Sequence, residues 1–190
     1  ASRACGQWTQ LARSSGLPAP TSFTVRLRRP FIKLPLTFDH DRLAEEVLQF
    51  DETEWRPHPQ HFEGNSSLVL VSTNGEENDN FSGPMKPTAR LGKTPYLRQV
   101  IGSFRLMRLA PGAAVDRHVD SNYFWRHHLR IHVPIITESC VTFCCGTEEV
   151  HMAAGESWTV DNLLPHRVEN RSPRERIHLV IDTVGSAELW

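Results

Sequence analysis

The sequence carries no excess of charge of either sign. Lys and Arg number 21 against 22 Asp and Glu, so no single-sign field argues for nucleic acid or an anionic surface as partner. No apolar run approaches the length of a membrane span, so no span is expected. There is no CxxC pair. Cys5, Cys140, Cys144 and Cys145 show no zinc-site spacing and read as buried, reduced thiols, which suits a cytoplasmic setting. No repeat of fixed period is present. The chain of 190 residues does not begin with Met, which fits a fragment and a recombinant product alike, and a partner domain after Trp190 is left open. What remains is a length suited to one domain with one core. Histidine is abundant: seven of the ten lie after residue 117.

Residues 1–30 lack periodicity and end in an Arg cluster, read as a solvated tail or arm. Residues 31–190 form the expected single domain. Asp39 followed by Leu43, Val47 and Leu48 predicts a short amphipathic helix. Ser67–Ser72 reads as one buried strand, and Asn74–Lys86 as a long polar loop, either a lid or a flexible connection. Thr94-Pro95 predicts a second helix with Thr94 as its N-cap and Leu97, Val100, Ile101 and Phe104 on its apolar face. From about residue 104 to 184 the period changes to short strands separated by Gly/Pro turns. That pattern predicts a mainly β sandwich or jelly roll, with the N-terminal α-helices packed on one face.

The chemistry gathers in Arg117-His118-Val119-Asp120 and in His166. In an extended strand His118 and Asp120 point to one face. With His166, placed after a predicted strand, they make a two-histidine, one-carboxylate set with open coordination positions, which is the ligand set of non-haem Fe(II) oxygenases. The loop beside it, Ser121–His128, offers Trp125, Arg126, His127 and His128 as contacts for an anionic or zwitterionic substrate. A surface hairpin is the other reading, and His127-His128 also form a possible second metal pair.

From Arg105 to Asp182 the chain resembles the aspartyl/asparaginyl beta-hydroxylase family of Fe(II)/2-oxoglutarate dioxygenases. The resemblance rests on Leu109-Ala110-Pro111-Gly112, His118-Val119-Asp120, Arg130-Ile131-His132-Val133-Pro134, Gly155-Glu156-x-Trp158-x-x-Asp161, Pro165-His166 and Arg176–Asp182, in that order and spacing. It implies a double-stranded β-helix, a cupin-like jelly roll closing around the metal. It assigns His118, Asp120 and His166 to Fe(II). Arg176, ten residues after His166, falls to the far carboxylate of 2-oxoglutarate, and Arg130 and His132 to its other carboxylate. An ion pair of Arg176 with Glu169 or Glu175 and a structural His132 are the alternatives. His178 either lines the pocket or is a core histidine, and Asp182 holds a turn. Retention of Asp120 favours hydroxylation over halogenation. The implied activity is hydroxylation of an aspartyl, asparaginyl or other amino-acid substrate, free or in a peptide, with O2 consumed and succinate and CO2 released. A cupin-like module that binds metal or ligand without turnover is the competing reading.

Overall fold

The structure, a computed structural model, describes residues 27–58, 60–76, 85–100, 105–120 and 128–184, and the counts and absences below concern these residues. The expected roles of the N-terminal arm, of most of the Asn74–Lys86 loop, of Ile101 and Phe104, and of Cys5 lie outside them.

Chain order is β1 (Phe31–Lys33), α1 (His40–Val47), a 3-10 turn (Glu52–Glu54), β2 (Arg56–Pro57), β3 (Asn65–Val69), β4 (Val71–Thr73) and β5 (Met85–Pro87). A second 3-10 turn (Ala89–Lys93) leads to α2 (Pro95–Val100). Then follow β6 (Arg105–Leu109), β7 (Ala114–His118), β8 (His128–Ile136), β9 (Val141–Cys145), β10 (Glu148–Val150), β11 (Trp158–Val160), β12 (His166–Asn170) and β13 (Arg176–Val184). A large sheet runs β1-β11-β8-β13-β6-β3-β2 and a smaller one β10-β9-β12-β7, with β4-β5 a separate hairpin. All pairings within the two main sheets are antiparallel. The two face each other through Phe31, Leu109 and Val160 on one side and Val115, Phe143 and Val168 on the other. This is the jelly roll that the strand pattern predicts.

Alternation along the central strands divides the large sheet into two faces. Leu129, Ile131, Val133 and Ile135 of β8 and Ile177, Leu179 and Ile181 of β13 pack outward, in one cluster with Leu43 and Val47 of α1 and Leu97 of α2. Each fully buried side chain of this size contributes about 1.5–3 kcal/mol. The helices therefore cover the outer face, as expected. The intervening residues Arg130, His132, Arg176, His178 and Asp182 face the smaller sheet and are mostly buried. A strand turns successive side chains to opposite faces, so one pair of strands supplies both the core and a polar interior.

Several local expectations are corrected. Asp39 does cap α1, accepting from Arg42 N at 3.2 Å. The Thr94 side chain does not cap α2: its hydroxyl donates to Leu91 O, and the N–H groups of Tyr96 and Leu97 are bonded elsewhere. The cap is Glu46 of α1, whose carboxylate accepts Tyr96 N–H at 2.5 Å and Leu97 N–H at 2.9 Å. A carboxylate at a helix N-terminus is electrostatically favoured and satisfies two orphan donors. Ser67–Ser72 is not one strand. Thr88 takes the carbonyls of Val69 and Leu70, and the chain leaves the large sheet there to enter the β4–β5 hairpin. Met85 and Lys86, expected in the loop, pair with Thr73 and Ser72. Cys140, Cys144 and Cys145 are free thiols, yet only Cys145 is buried; Cys140, in a turn before β9, is exposed. No described helix is long and apolar enough to cross a membrane.

Candidate metal centre

β7 and β12 are neighbours in the smaller sheet, and their register sets His118 directly opposite His166. The imidazole centroids lie 4.3 Å apart. Each ring is oriented from behind by its own backbone. His118 Nδ1 is 2.7 Å from Asp116 O, and His166 Nδ1 is 2.9 Å from Leu164 O. A carbonyl only accepts, so both Nδ1 atoms carry the proton and both Nε2 lone pairs are available to a metal. Burial holds His166 below the ordinary imidazole pKa, with His118 and Arg130 acting in the same direction against the Leu164 carbonyl and Asp120. A neutral ring is the form that ligates.

Asp120 lies beyond the end of β7, past the exposed Val119. Its N–H bonds Asn162 O at 3.1 Å, and the Asn162 amide returns a bond to Asp120 Oδ2 at 2.9 Å. Arg130 Nη1 approaches the same oxygen at 3.4 Å. With Oδ2 occupied, Oδ1 faces His118 Nε2 at 3.8 Å. Ligand atoms of His118, Asp120 and His166 all lie within 4.8 Å of one another, and no other described group of three or more such residues does so. Two neutral imidazoles and one carboxylate on one side of a site fit a divalent first-row ion and leave positions for other ligands. Phe62 packs against His118 at 5.4 Å between ring centroids.

A second polar group extends from this centre across the inner face of β8 and β13. Phe143 stacks 6.3 Å from His166, and His132 lies 5.4 Å from Phe143 and 5.8 Å from His178. Arg176 Nη2 is 2.6 Å from His178 Nδ1. Arg176 is 4% exposed, and its Nε finds no hydrogen-bond partner; neither does His132 Nδ1. Burial alone pushes Arg176 down to about 9, so it remains charged at neutral pH. Burial, then the charges of Arg176 and Arg130, hold His132 well below its ordinary value. The ion pairs weighed for Arg176 do not form: Glu169 is taken by Arg167 and Arg171, and Glu175 by Arg108. A buried cation without a counter-ion is costly, and an anionic ligand with oxygen acceptors would offset that cost.

Arg130 stands differently. Its Nε and Nη2 donate to the two oxygens of Asp182 at 2.7 and 3.0 Å, and Arg105 Nη2 reaches Asp182 at 3.4 Å. Asp182, expected only to hold a turn, is a buried counter-ion within β13. Burial would raise its carboxyl pKa, but Arg130 and Arg105 outweigh that and hold it below the usual range. Of the loop residues expected to meet substrate, His128 opens β8 and lines a small pocket with Arg130, Asp161, Asn162 and Leu163. Trp125, Arg126 and His127 lie outside the described residues, and the His127-His128 pair with them. Sequence reasoning gave no role to Asn162 or Phe62. Their only signal is position, Asn162 four residues before His166 and Phe62 in the loop ahead of β3.

Comparison with known proteins bears on the family and the fold. The family model described as Aspartyl/Asparaginyl beta-hydroxylase matches residues 39–185. An L-proline cis-4-hydroxylase of Rhizobium meliloti (strain 1021) is 27% identical over 168 residues, 79% of this chain and 59% of that protein. The chain thus spans about three fifths of that relative's length. Among solved structures, a prolyl-4-hydroxylase of Pseudomonas putida superposes with a TM-score of 0.50 at 16% identity, covering 80% of this chain and 91% of its own. A Trichoplax adhaerens prolyl hydroxylase, in complex with a hypoxia inducible factor oxygen degradation domain peptide fragment, gives 0.53 at 8% identity, covering 99% and 93%. At these identities the two structures speak to the fold.

Proposed function

The chain belongs to the aspartyl/asparaginyl beta-hydroxylase family, and we propose that it acts as an Fe(II)/2-oxoglutarate-dependent dioxygenase hydroxylating an amino-acid substrate, free or within a peptide. Succinate and CO2 are the co-products. The family's description supports an aspartyl or asparaginyl side chain, and the L-proline cis-4-hydroxylase relative brings proline into the same class. The observation that carries the reading is a three-ligand metal group on the same interior as a buried arginine without a counter-ion.

In this reading His118 Nε2, Asp120 Oδ1 and His166 Nε2 hold the iron. When bound, iron and 2-oxoglutarate together supply the activation of O2, driven by decarboxylation of the oxoacid. Arg176 receives the distal carboxylate through its N–H fork. His132, with Nδ1 unpartnered and under the charges of Arg176, Arg130 and His166, would serve the oxoacid's other carboxylate. Arg130 contributes there through Nη1, its Nε and Nη2 being held by Asp182. Retention of Asp120 as a third ligand residue supports hydroxylation over halogenation. His128, with Trp125, Arg126 and His127, is assigned to the substrate mouth. The free thiols support a reducing, cytoplasmic setting.

The test is succinate formation with Fe(II), 2-oxoglutarate and a panel of amino acids and peptides, with mass spectrometry for gain of one oxygen. The expected result is substrate-dependent succinate and a one-oxygen product, both lost in His118→Ala, Asp120→Ala and His166→Ala. Equal rates in all four proteins would overturn the metal assignment. Failure of 2-oxoglutarate to bind with Mn(II) in place of iron would make the protein a binding or sensing module instead.

A further inference from the structure

Of the three buried arginines among the described residues, Arg90 and Arg105 are paired with carboxylates, Glu54 at 3.6 Å and Asp182 at 3.4 Å. Arg176 is not. Its side-chain partner is His178, two residues along the same face of β13, with Nη2 2.6 Å from Nδ1. A guanidinium has donors and no acceptor. His178 Nδ1 must therefore accept, and it carries no proton. The ring is 2% exposed, and burial with the adjoining Arg176 charge holds it well below the ordinary imidazole pKa. It is neutral, with its proton on Nε2.

We infer that His178 is a positioning residue, which fixes the Arg176 side chain through a neutral acceptor and so leaves the whole guanidinium charge for the distal carboxylate of the oxoacid. This rests on the assignment of Arg176 to that carboxylate. The same strand shows the contrasting arrangement. Asp182 holds Arg130 by two hydrogen bonds and cancels its charge in doing so. A carboxylate at position 178 would orient Arg176 equally well but would compete with the ligand for it. An apolar residue there would leave the charge free and the side chain unfixed. A neutral acceptor satisfies both requirements.

The experiment measures anaerobic binding of 2-oxoglutarate to the Mn(II)-loaded protein by calorimetry for wild type, His178→Gln, His178→Leu and His178→Asp. Mn(II) affinity and thermal stability are measured in parallel. Gln keeps a neutral oxygen acceptor and should bind within about threefold of wild type, whereas Leu should bind about 10-fold more weakly, the scale of one charge-assisted hydrogen bond. Asp should bind weakest, by about 100-fold or more, because it neutralises a buried arginine. Mn(II) affinity should be equal in all four. Leu binding as tightly as wild type, or Asp as tightly as Gln, overturns the inference. A long-range nitrogen–proton correlation spectrum supplies a readout independent of the cosubstrate. His178 should show the Nε2–H tautomer, and an Nδ1–H or doubly protonated ring overturns the inference whatever binds. Wild type that takes up Mn(II) but not 2-oxoglutarate overturns the cosubstrate reading and this one with it, even if the tautomer is as expected.

Discussion

Asn162→Ala should weaken metal binding without unfolding the protein. The Asn162 amide provides the shorter of the two contacts to Asp120 Oδ2, 2.9 Å against 3.4 Å from Arg130. Removing it leaves the carboxylate free to rotate and to present either oxygen. A hydrogen bond to a charged group contributes about 1.5–3 kcal/mol, and about 1.4 kcal/mol is tenfold in affinity. The expected loss is therefore about 10–100-fold, the range found for outer-shell partners of metal ligands. The backbone bond from Asp120 N–H to Asn162 O survives the substitution, so the apo protein should keep its thermal midpoint within a few degrees. Titration of the apo protein with Co(II) near neutral pH reads both quantities. The visible band of the bound ion should also change shape as the carboxylate loses its single fixed oxygen. Unchanged Co(II) affinity and an unchanged band would refute the reasoning and leave Arg130 alone as the group that holds Asp120.

Other perturbations test the interior and the packing. His132 and His178 have folded pKa values below the ordinary imidazole value, so the unfolded chain takes up protons first, and stability is lost as pH falls through about 6.5. Both rings act in this direction, so the apo protein should lose stability in urea denaturation between about pH 7 and about pH 5.5, and His178→Leu should lose less over the same interval. Asp182→Asn removes the buried carboxylate shared by Arg130 and Arg105, leaving Arg130 its 3.4 Å contact to Asp120, and should cost about 3–5 kcal/mol, read as a shift in denaturation midpoint. Gly155 has φ +79°, and an added Cβ would lie 2.6 Å from Phe38 O. Gly155→Ala should destabilise by about 2–4 kcal/mol, combining the left-handed strain with displacement of the chain entering α1.

What the sequence made legible is what repeats locally. Alternating apolar residues in Leu129–Ile136 and Ile177–Thr183 marked the two central strands nearly to their ends. Spaced motifs marked the metal set, because a histidine and an acid two apart and a second histidine after a strand need only short-range geometry to be noticed. What stayed hidden depends on contacts between distant segments. Glu46 caps α2 from fifty residues away. Thr88 ends a strand by taking the carbonyls of Val69 and Leu70. Asp182 looks like a strand-end acid until Arg130 and Arg105 are brought over it by the β8–β13–β6 pairing. Asn162 is one asparagine among several until the chain after β7 is laid against the turn before β12.

The alternation along β8 and β13 has a consequence for how this gene can vary. From Leu129 to Val133 in β8 and from Ile177 to Ile181 in β13 the odd-numbered residues build the contact with the helices, and the inward-facing polar residues of both strands, Arg130, His132, Arg176, His178 and Asp182, are all even-numbered. Point substitutions at His132, Arg176 and His178 can therefore retune ligand preference while the apolar packing holds, Asp182 being the even position that stability also depends on, and substitutions at odd positions can alter heat tolerance while the chemistry holds. A deletion or insertion of a single codon within either strand has no such separation. It would exchange the two sets of side chains, turning arginines and histidines toward the helices and isoleucines toward the polar interior, so the packing and the site would be lost together. Length variation among natural or engineered versions should accordingly fall in the turns, and the strands themselves should change only by replacement.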